Sequence, residues 1–175
     1  QVKRDAQSCL SLFDQVPDEH EYSGTGRPRS HSRQCHPVVC VSSDDARAYA
    51  EWEGKRLPTE EEWEAAAHAT ERLRWPWGNR FACGNANTAT TGPGGTTPVG
   101  IFAAGASPFG VLDMCGNVAE WTSTVADTSQ NGVQIVVVRG GSWNDEPDRC
   151  QCSSSELLAG DTRCPYVGFR CARND

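Results

Sequence analysis

The spacing of apolar positions changes once along this chain, and that change divides it. Through His68 the apolar residues recur at helical spacing; beyond it they do not. Gln1 to Phe13 sets Ala6, Cys9, Leu10, Leu12 and Phe13 on the pattern of a short amphipathic helix. Val16 to Arg33 then turns to Pro, Gly, Ser, His and charge, the composition of a surface loop. His36-Pro-Val-Val-Cys-Val41 is a short extended run. Ser42, with Asp45 three residues on, predicts a capping box that opens a helix carrying Ala46, Tyr49, Ala50 and Trp52, with Gly54 placed to end it. Thr59 with Glu62 repeats the arrangement. The run Glu60-Glu61-Glu62 suits the positive end of a helix dipole, and Trp63, Ala66 and Ala67 form the stripe to be buried.

After that second helix, turns and loops dominate, as in Arg74-Trp-Pro-Trp-Gly-Asn79, Asn85-Ala-Asn-Thr88 and the Gly, Ala, Ser and Pro of Phe102 to Phe109. Val133 to Arg139 predicts a buried strand that ends in Gly140-Gly-Ser-Trp143. Tyr166 to Ala172 alternates as a strand does, with Val167, Phe169 and Cys171 on one face. Gly110 to Trp121 fits neither period, being too irregular for an amphipathic helix and too short of β-branched residues for a plain strand. Asp113, Gly116 and Glu120 fall within this window, and oxygen-rich turns of that kind suit a hard cation such as calcium. The alternative is a Gly-Asn turn in which Glu120 caps loop amides. The fold class is α+β: two helices, then short strands and much irregular chain, in one domain over 1–175.

Composition narrows the function. With 175 residues, 37% hydrophobic and 22% charged, the chain has the make-up of a soluble globular domain. No run approaches the roughly 18 apolar residues of a membrane span, and no signal-peptide pattern opens the chain. A formal charge of -7 with only scattered arginines disfavours a nucleic-acid partner. Nine cysteines cannot all pair internally, and with no C-x-x-C spacing they do not suggest structural zinc. Most read as buried small hydrophobes or free thiols. The other reading is one or two disulfides, Cys35 with Cys40 or Cys164 with another late cysteine.

Seven blocks in order carry a resemblance. They are His36-Pro-Val-Val-Cys-Val-Ser, Gly54-Lys-Arg-Leu-Pro-Thr-Glu-Glu-Glu-Trp-Glu-Ala-Ala, Trp75-Pro-Trp-Gly-Asn, Thr97-Pro-Val-Gly, Phe109-Gly-Val-Leu-Asp-Met-Cys-Gly-Asn-Val-Ala-Glu-Trp, Arg139-Gly-Gly-Ser-Trp and Gly168-Phe-Arg. Together they resemble the formylglycine-generating enzyme (sulfatase-modifying factor) family over Val2 to Arg173, with that family's first strand trimmed. The resemblance implies a C-type-lectin-like fold. It also implies calcium held by side-chain oxygens of Asp113 and Glu120 and backbone carbonyls of Gly116 and Val118. A second calcium loop would start at Asn87 and Thr88, but its later acidic ligand falls in a shortened Thr91-Gly-Pro-Gly-Gly stretch.

Enzymes of that family oxidise a substrate cysteine with two cysteines five residues apart. Paired thiolates give copper(I) a soft site and can exchange with a substrate thiol. In this chain the two positions fall on Asp145 and Cys150. A hard carboxylate does not replace a thiolate at copper(I), so copper is not expected, and Cys152 lacks the family spacing to Cys150. His20, His31, His36 and His68 also lack ligand spacing, so the iron motif of the related sulfoxide synthases is absent.

The frame around this region fits the family while its middle, Asp148 to Tyr166, does not. That pattern resembles the variable proteins of diversity-generating retroelements, which use the same fold and rewrite asparagine codons near the C-terminus. Codons ending in fixed C cannot encode Lys, Glu, Gln, Met or Trp, and Leu157 to Tyr166 contains none of these; Gln151 and Glu156 would be fixed positions or exceptions. The implied function is non-catalytic binding of a protein or other macromolecule through Asp145, Asp148, Arg149, Gln151, Ser153, Ser155, Leu157, Arg163 and Tyr166. Tyr and Arg would be the anchors of such a patch. The alternatives are a copper-dependent formylglycine-generating oxidase and a degenerate accessory domain cut from a larger protein such as a kinase-linked sensor. Compartment stays open, display on a cell or virus surface included. A near-copy of the DNA for Asp145 to Arg170, differing at adenines beside a reverse transcriptase, is what separates these readings.

Overall fold

Two capping boxes start the helical half. A computed structural model describes residues 35–173; the helix expected over Gln1 to Phe13 and the loop over Val16 to Arg33 lie outside the described residues. Helix α1 (Ser43–Trp52) begins where the Asp45 amide donates to Ser42 Oγ at 3.2 Å and the Ser42 amide donates to Asp45 Oδ2 at 2.8 Å. Helix α2 (Glu60–His68) repeats this with Thr59 and Glu62, at 3.2 and 2.9 Å. Each box satisfies amide donors that a helix start leaves without intrahelical partners. Trp63, Ala66 and Ala67 are buried, as their spacing predicts. On α1 the outcome is split. Ala46 and Ala50 are fully buried, while Tyr49 and Trp52 are 49% and 77% exposed. Two alanines bring the helix backbone close to the sheet, which leaves the aromatics at its flank, where Tyr49 packs on Phe169 at 5.6 Å between ring centroids.

The strands β1 (Ala119–Thr128), β2 (Gln134–Arg139), β3 (Ser155–Ala159) and β4 (Val167–Phe169) form one sheet in the order β3-β2-β1-β4. β2 runs antiparallel to both β1 and β3, and β4 runs parallel to β1. β1 begins inside the block whose composition argued against a strand. Its first residues, Ala119 to Thr122, are buried between β2 and β4, and pairing on both edges outweighs weak local propensity. β3 was not foreseen either. It is an edge strand of mixed exposure, with Val137 opposite Leu157 and Val136 opposite Leu158. β4 is shorter than the expected Tyr166 to Ala172, although Ala172 still exchanges two backbone bonds with Arg56.

α1 packs on the sheet through a core of Ala46, Ala50, Leu57, Trp121, Val136, Val138 and Val167. α2 contributes Trp63, Ala66 and Ala67 to a second core with Val111, Met114 and Cys152. The irregular block 110–118 is held between them, and Gly116 is where it comes closest to other chain. At φ 74° its backbone is left-handed, and a Cβ there would stand 2.1 Å from the Asn87 carbonyl oxygen. Both facts require glycine. Gly116→Ala is expected to lower the unfolding free energy by roughly 3 kcal/mol, read as an earlier urea midpoint; an unchanged midpoint would show that the two loops can part at no cost.

Candidate functional site

Glu120 stands at the start of β1, almost fully buried, and three donors converge on its carboxylate. Trp63 Nε1 of α2 donates to Oε2 at 2.6 Å, and Arg170, just past β4, donates from Nε to Oε2 at 2.5 Å and from Nη2 to Oε1 at 2.7 Å. Nη2 of Arg170 also reaches the carbonyls of Leu112 and Asp113 at 3.2 and 3.3 Å. Arg170 and Trp63 were not among the site residues expected from the sequence. The signal for them was the pair of family blocks, Gly168-Phe-Arg and Glu-Glu-Trp, that contain them.

Asp113 lies within electrostatic reach of Glu120 and Arg170, and its Oδ2 accepts from the Gly100 amide at 2.6 Å. Burial pushes its carboxyl above the usual carboxylate range, against the pull of that amide and of Arg170. The structure thus gathers two carboxylates around one guanidinium and leaves a negative balance. A carboxylate offers about four lone-pair sites; Glu120 retains one on Oε1, and Asp113 has used one. Left-handed backbone at Asp113, Gly116 and Asn117 makes the turn on which the Gly116 and Val118 carbonyls lie. A hard cation would have to use Asp113, the remaining lone pair on Glu120 Oε1 and the two carbonyls. Among the described residues no three His, Cys, Asp or Glu side chains form a metal cage, so calcium here would rest on two carboxylates and backbone oxygens.

The second loop differs. Asn87 is fully buried and donates from Nδ2 to the Gly95 carbonyl and Asn117 Oδ1, at 2.9 and 3.1 Å, while its own Oδ1 has no partner. Around Thr88 stand only the hydroxyls of Thr90 and Thr91, at 3.3 and 3.0 Å. One orphaned amide oxygen without a carboxylate does not fit calcium.

Asp145 and Cys150 occupy the turn after β2. Asp145 Oδ2 accepts from the Ser142 amide at 3.0 Å and from Ser142 Oγ at 2.6 Å, reaching back to close the turn as the acidic residue of a capping box does. Cys150 is fully buried, its Sγ toward the Ser142 carbonyl and hard against Gly141, where a Cβ would come within 2.6 Å of it. Hydrogen bonding to Cys150 and burial together hold the Cys115 thiol far above its ordinary pKa. Cys152, also buried, is pushed up to about 12, chiefly by burial. All three cysteines lie in the cores beside Trp75 and Trp63. All eight described cysteines are free, in keeping with the thiol reading, although Cys35, Cys40 and Cys83 are exposed.

The residues expected to bind are all exposed or half-buried, and they alternate with the buried Cys150 and Cys152. Asp145, Asp148, Arg149 and Ser155 line one cavity of about 230 Å³, together with Ser154 and Glu156, which the sequence reading left out. Gln151 Nε2 donates to Asp148 Oδ1 at 3.1 Å beside it. Ser153 is exposed, with its carbonyl taken by Arg139; Leu157 stands 56% exposed on β3, away from the cavity lining. Arg163 is used locally, pairing with Asp45 at the start of α1 and holding that carboxyl down at about 2. Tyr166 sits half-buried beside Cys164.

The sulfatase-modifying factor enzyme 1-like domain family matches residues 7–175. Over 152 residues the chain is 38% identical to the inactive C-alpha-formylglycine-generating enzyme 2 of Bos taurus, covering 78% of this chain and 50% of that protein. Over 174 residues it is 34% identical to the formylglycine-generating enzyme of Mycobacterium tuberculosis, covering 79% and 58%. It therefore spans little more than half the length of these relatives. Treponema denticola variable protein 1 superposes with a TM-score of 0.70 at 22% identity, over 87% of this chain and 76% of that one; that likeness concerns the fold.

In chelator-treated protein, Glu120→Gln and Arg170→Met should each cost about 3–5 kcal/mol, because each leaves a buried charge without its partner. The double variant should cost less than the two added together, by urea denaturation; simple additivity would mean the pair is not coupled.

Proposed function

The chain belongs to the sulfatase-modifying factor enzyme 1-like family, with a C-type-lectin-like fold, and on that premise we propose that it is a non-catalytic member that binds another molecule. The surface runs from Asp145 to Tyr166, and the partner is a protein or other macromolecule. One observation carries the reading: the carboxylate of Asp145, which by the family resemblance falls at the oxidising members' first cysteine, is committed to the Ser142 turn. Oxidation of a substrate cysteine through copper(I) needs two soft thiolates that substrate can reach. Here one position carries a hard oxygen and the other a fully buried thiol packed against Gly141. Similarity to a relative named as inactive supports the same conclusion. The exposed, unpatterned side chains over a frame of buried cysteines support a surface whose residues vary without disturbing the core.

A second reading, a copper-dependent formylglycine-generating oxidase, is favoured by 34% identity to the enzyme of Mycobacterium tuberculosis. The two readings part on one experiment. A Cys-x-Pro-x-Arg peptide incubated with the protein and copper should keep its mass, and a formylglycine product would establish the oxidase instead.

Calcium belongs to this proposal as a structural ion. Asp113 and Glu120, with the carbonyls of Gly116 and Val118, would hold it, and it would cross-link the 110–118 loop to β1. When bound it would supply the positive charge that Arg170 alone does not provide for two carboxylates. Without a cation, the raised Asp113 pKa favours the folded state at low pH, and that contribution is lost as pH rises through the raised value. Calcium binds only the ionised form. Its addition should therefore raise the melting temperature, EDTA should lower it, and the gap should widen as pH climbs through the Asp113 transition. A melting curve indifferent to both at every pH would remove the ion from the account.

A further inference from the structure

Two cysteines far apart in sequence meet at the surface beside the proposed binding loop. Residues 40–43 and 160–164 lie side by side in antiparallel sense. The Cys40 amide donates to the Cys164 carbonyl at 3.0 Å, and the Ser43 amide donates to the Gly160 carbonyl at 2.9 Å. The single Cys40–Cys164 backbone bond sets these two residues side by side, the approach a disulfide needs, since its Cα atoms stand about 4.4–6.8 Å apart. The two thiols feel each other electrostatically. Cys40 is exposed and Cys164 half-buried, so an oxidant reaches one and the other follows. Burial holds the Cys164 thiol above its ordinary pKa, against the Tyr166 and Val167 amides and the Tyr166 hydroxyl that would donate to its thiolate, so Cys40 is the sulfur that attacks first.

We propose that Cys40 and Cys164 form a disulfide in a thiol-oxidising environment, stapling the end of the 148–166 loop to the segment that leads into α1. The oxidant is a small disulfide such as oxidised glutathione. The Cys40 thiolate attacks one of its sulfurs, the glutathione S–S bond breaks, and one glutathione leaves as thiolate. The Cys164 thiolate then attacks the Cys40 sulfur of the mixed disulfide and expels the second glutathione. Two electrons have passed to the glutathione disulfide, and the two cysteine protons go to solvent or to the released thiolates. The staple closes a long loop just ahead of Tyr166 and β4, where Cys164 packs on the rim of the α1–sheet core, and so fixes the end of the binding loop. It holds whether or not that surface binds a partner.

The test uses the full chain equilibrated with reduced and oxidised glutathione, then alkylated, digested and read by mass spectrometry without reduction. A peptide joining Cys40 to Cys164 is expected, with Cys115, Cys150 and Cys152 alkylated only after unfolding. Oxidation should raise the melting temperature by about 10 °C. Cys40→Ser and Cys164→Ser should each abolish the shift, while Cys83→Ser keeps it. Alkylation of both residues in oxidised protein, glutathione left on either one, or a link from either to another cysteine would overturn the proposal.

Discussion

A buried carboxylate fixes this fold. Glu120 lies under the sheet edge with its charge met by Arg170 and its remaining acceptor capacity drawn on by the Trp63 indole. Taking a carboxylate out of water costs several kcal/mol, and only donors of this quality offset it. The consequence reaches across the molecule. β4 is three residues long and parallel to β1, too short a pairing to hold the C-terminal segment on its own. Arg170, directly after it, ties that segment to Glu120 of β1 and to the carbonyls of the 110–118 loop, and through Glu120 to Trp63 of α2. The irregular block keeps its left-handed turns because a guanidinium anchors it from below.

A second arginine does for the binding loop what Arg170 does for the closing strand. Arg139 is fully buried at the end of β2, over the Trp63 ring, and its guanidinium bonds to Glu60 and Glu64 of α2 and to the carbonyls of Cys152 and Ser153. The backbone of the loop is therefore gripped by side chains that lie outside it. Ser142 and Gly141 do the same for the turn before it. Side chains within the loop then divide cleanly. Cys150 and Cys152 point inward, and the charged and polar residues between and around them face solvent. A loop whose course is set from beneath can change its outward residues freely, and that is the physical content of calling it a binding surface.

Much of this was legible in the chain. Both helices announced themselves through Ser42 with Asp45 and Thr59 with Glu62, because a capping box is a local signal that needs no tertiary context. The Val-rich run of β2 was equally plain. β1 was hidden, since Ala119 to Thr128 owes its conformation to neighbours on both edges. β3 was hidden because an edge strand carrying Ser and Glu outward looks like loop. At the site, Asp113 and Glu120 could be picked out as acids in a turn, but the cation facing them, Arg170, is fifty residues away from Glu120 and invisible to any local pattern. The meeting of Cys40 with Cys164 was missed for the same reason, the sequence reading having looked for partners nearby.

On the proposed reading, an aspartate at position 145 has a cost and a return that bear directly on the oxidase chemistry. A cysteine in that turn would be a weak acceptor for the Ser142 amide and hydroxyl, leaving both to solvent and the thiol free to swing toward substrate. Aspartate does the reverse. It accepts both donors with charge-assisted bonds, so the turn becomes rigid and its reactive position is spent on structure. Cys150 loses its partner at the same stroke and, closed in by Gly141, Cys115 and Trp75, behaves as a small apolar residue. What the turn gains is a fixed platform whose neighbours Asp148, Arg149 and Ser155 line an open cavity. Rigid presentation would lower the entropy lost when a partner settles on such a surface, which is what the proposed binding role asks of it.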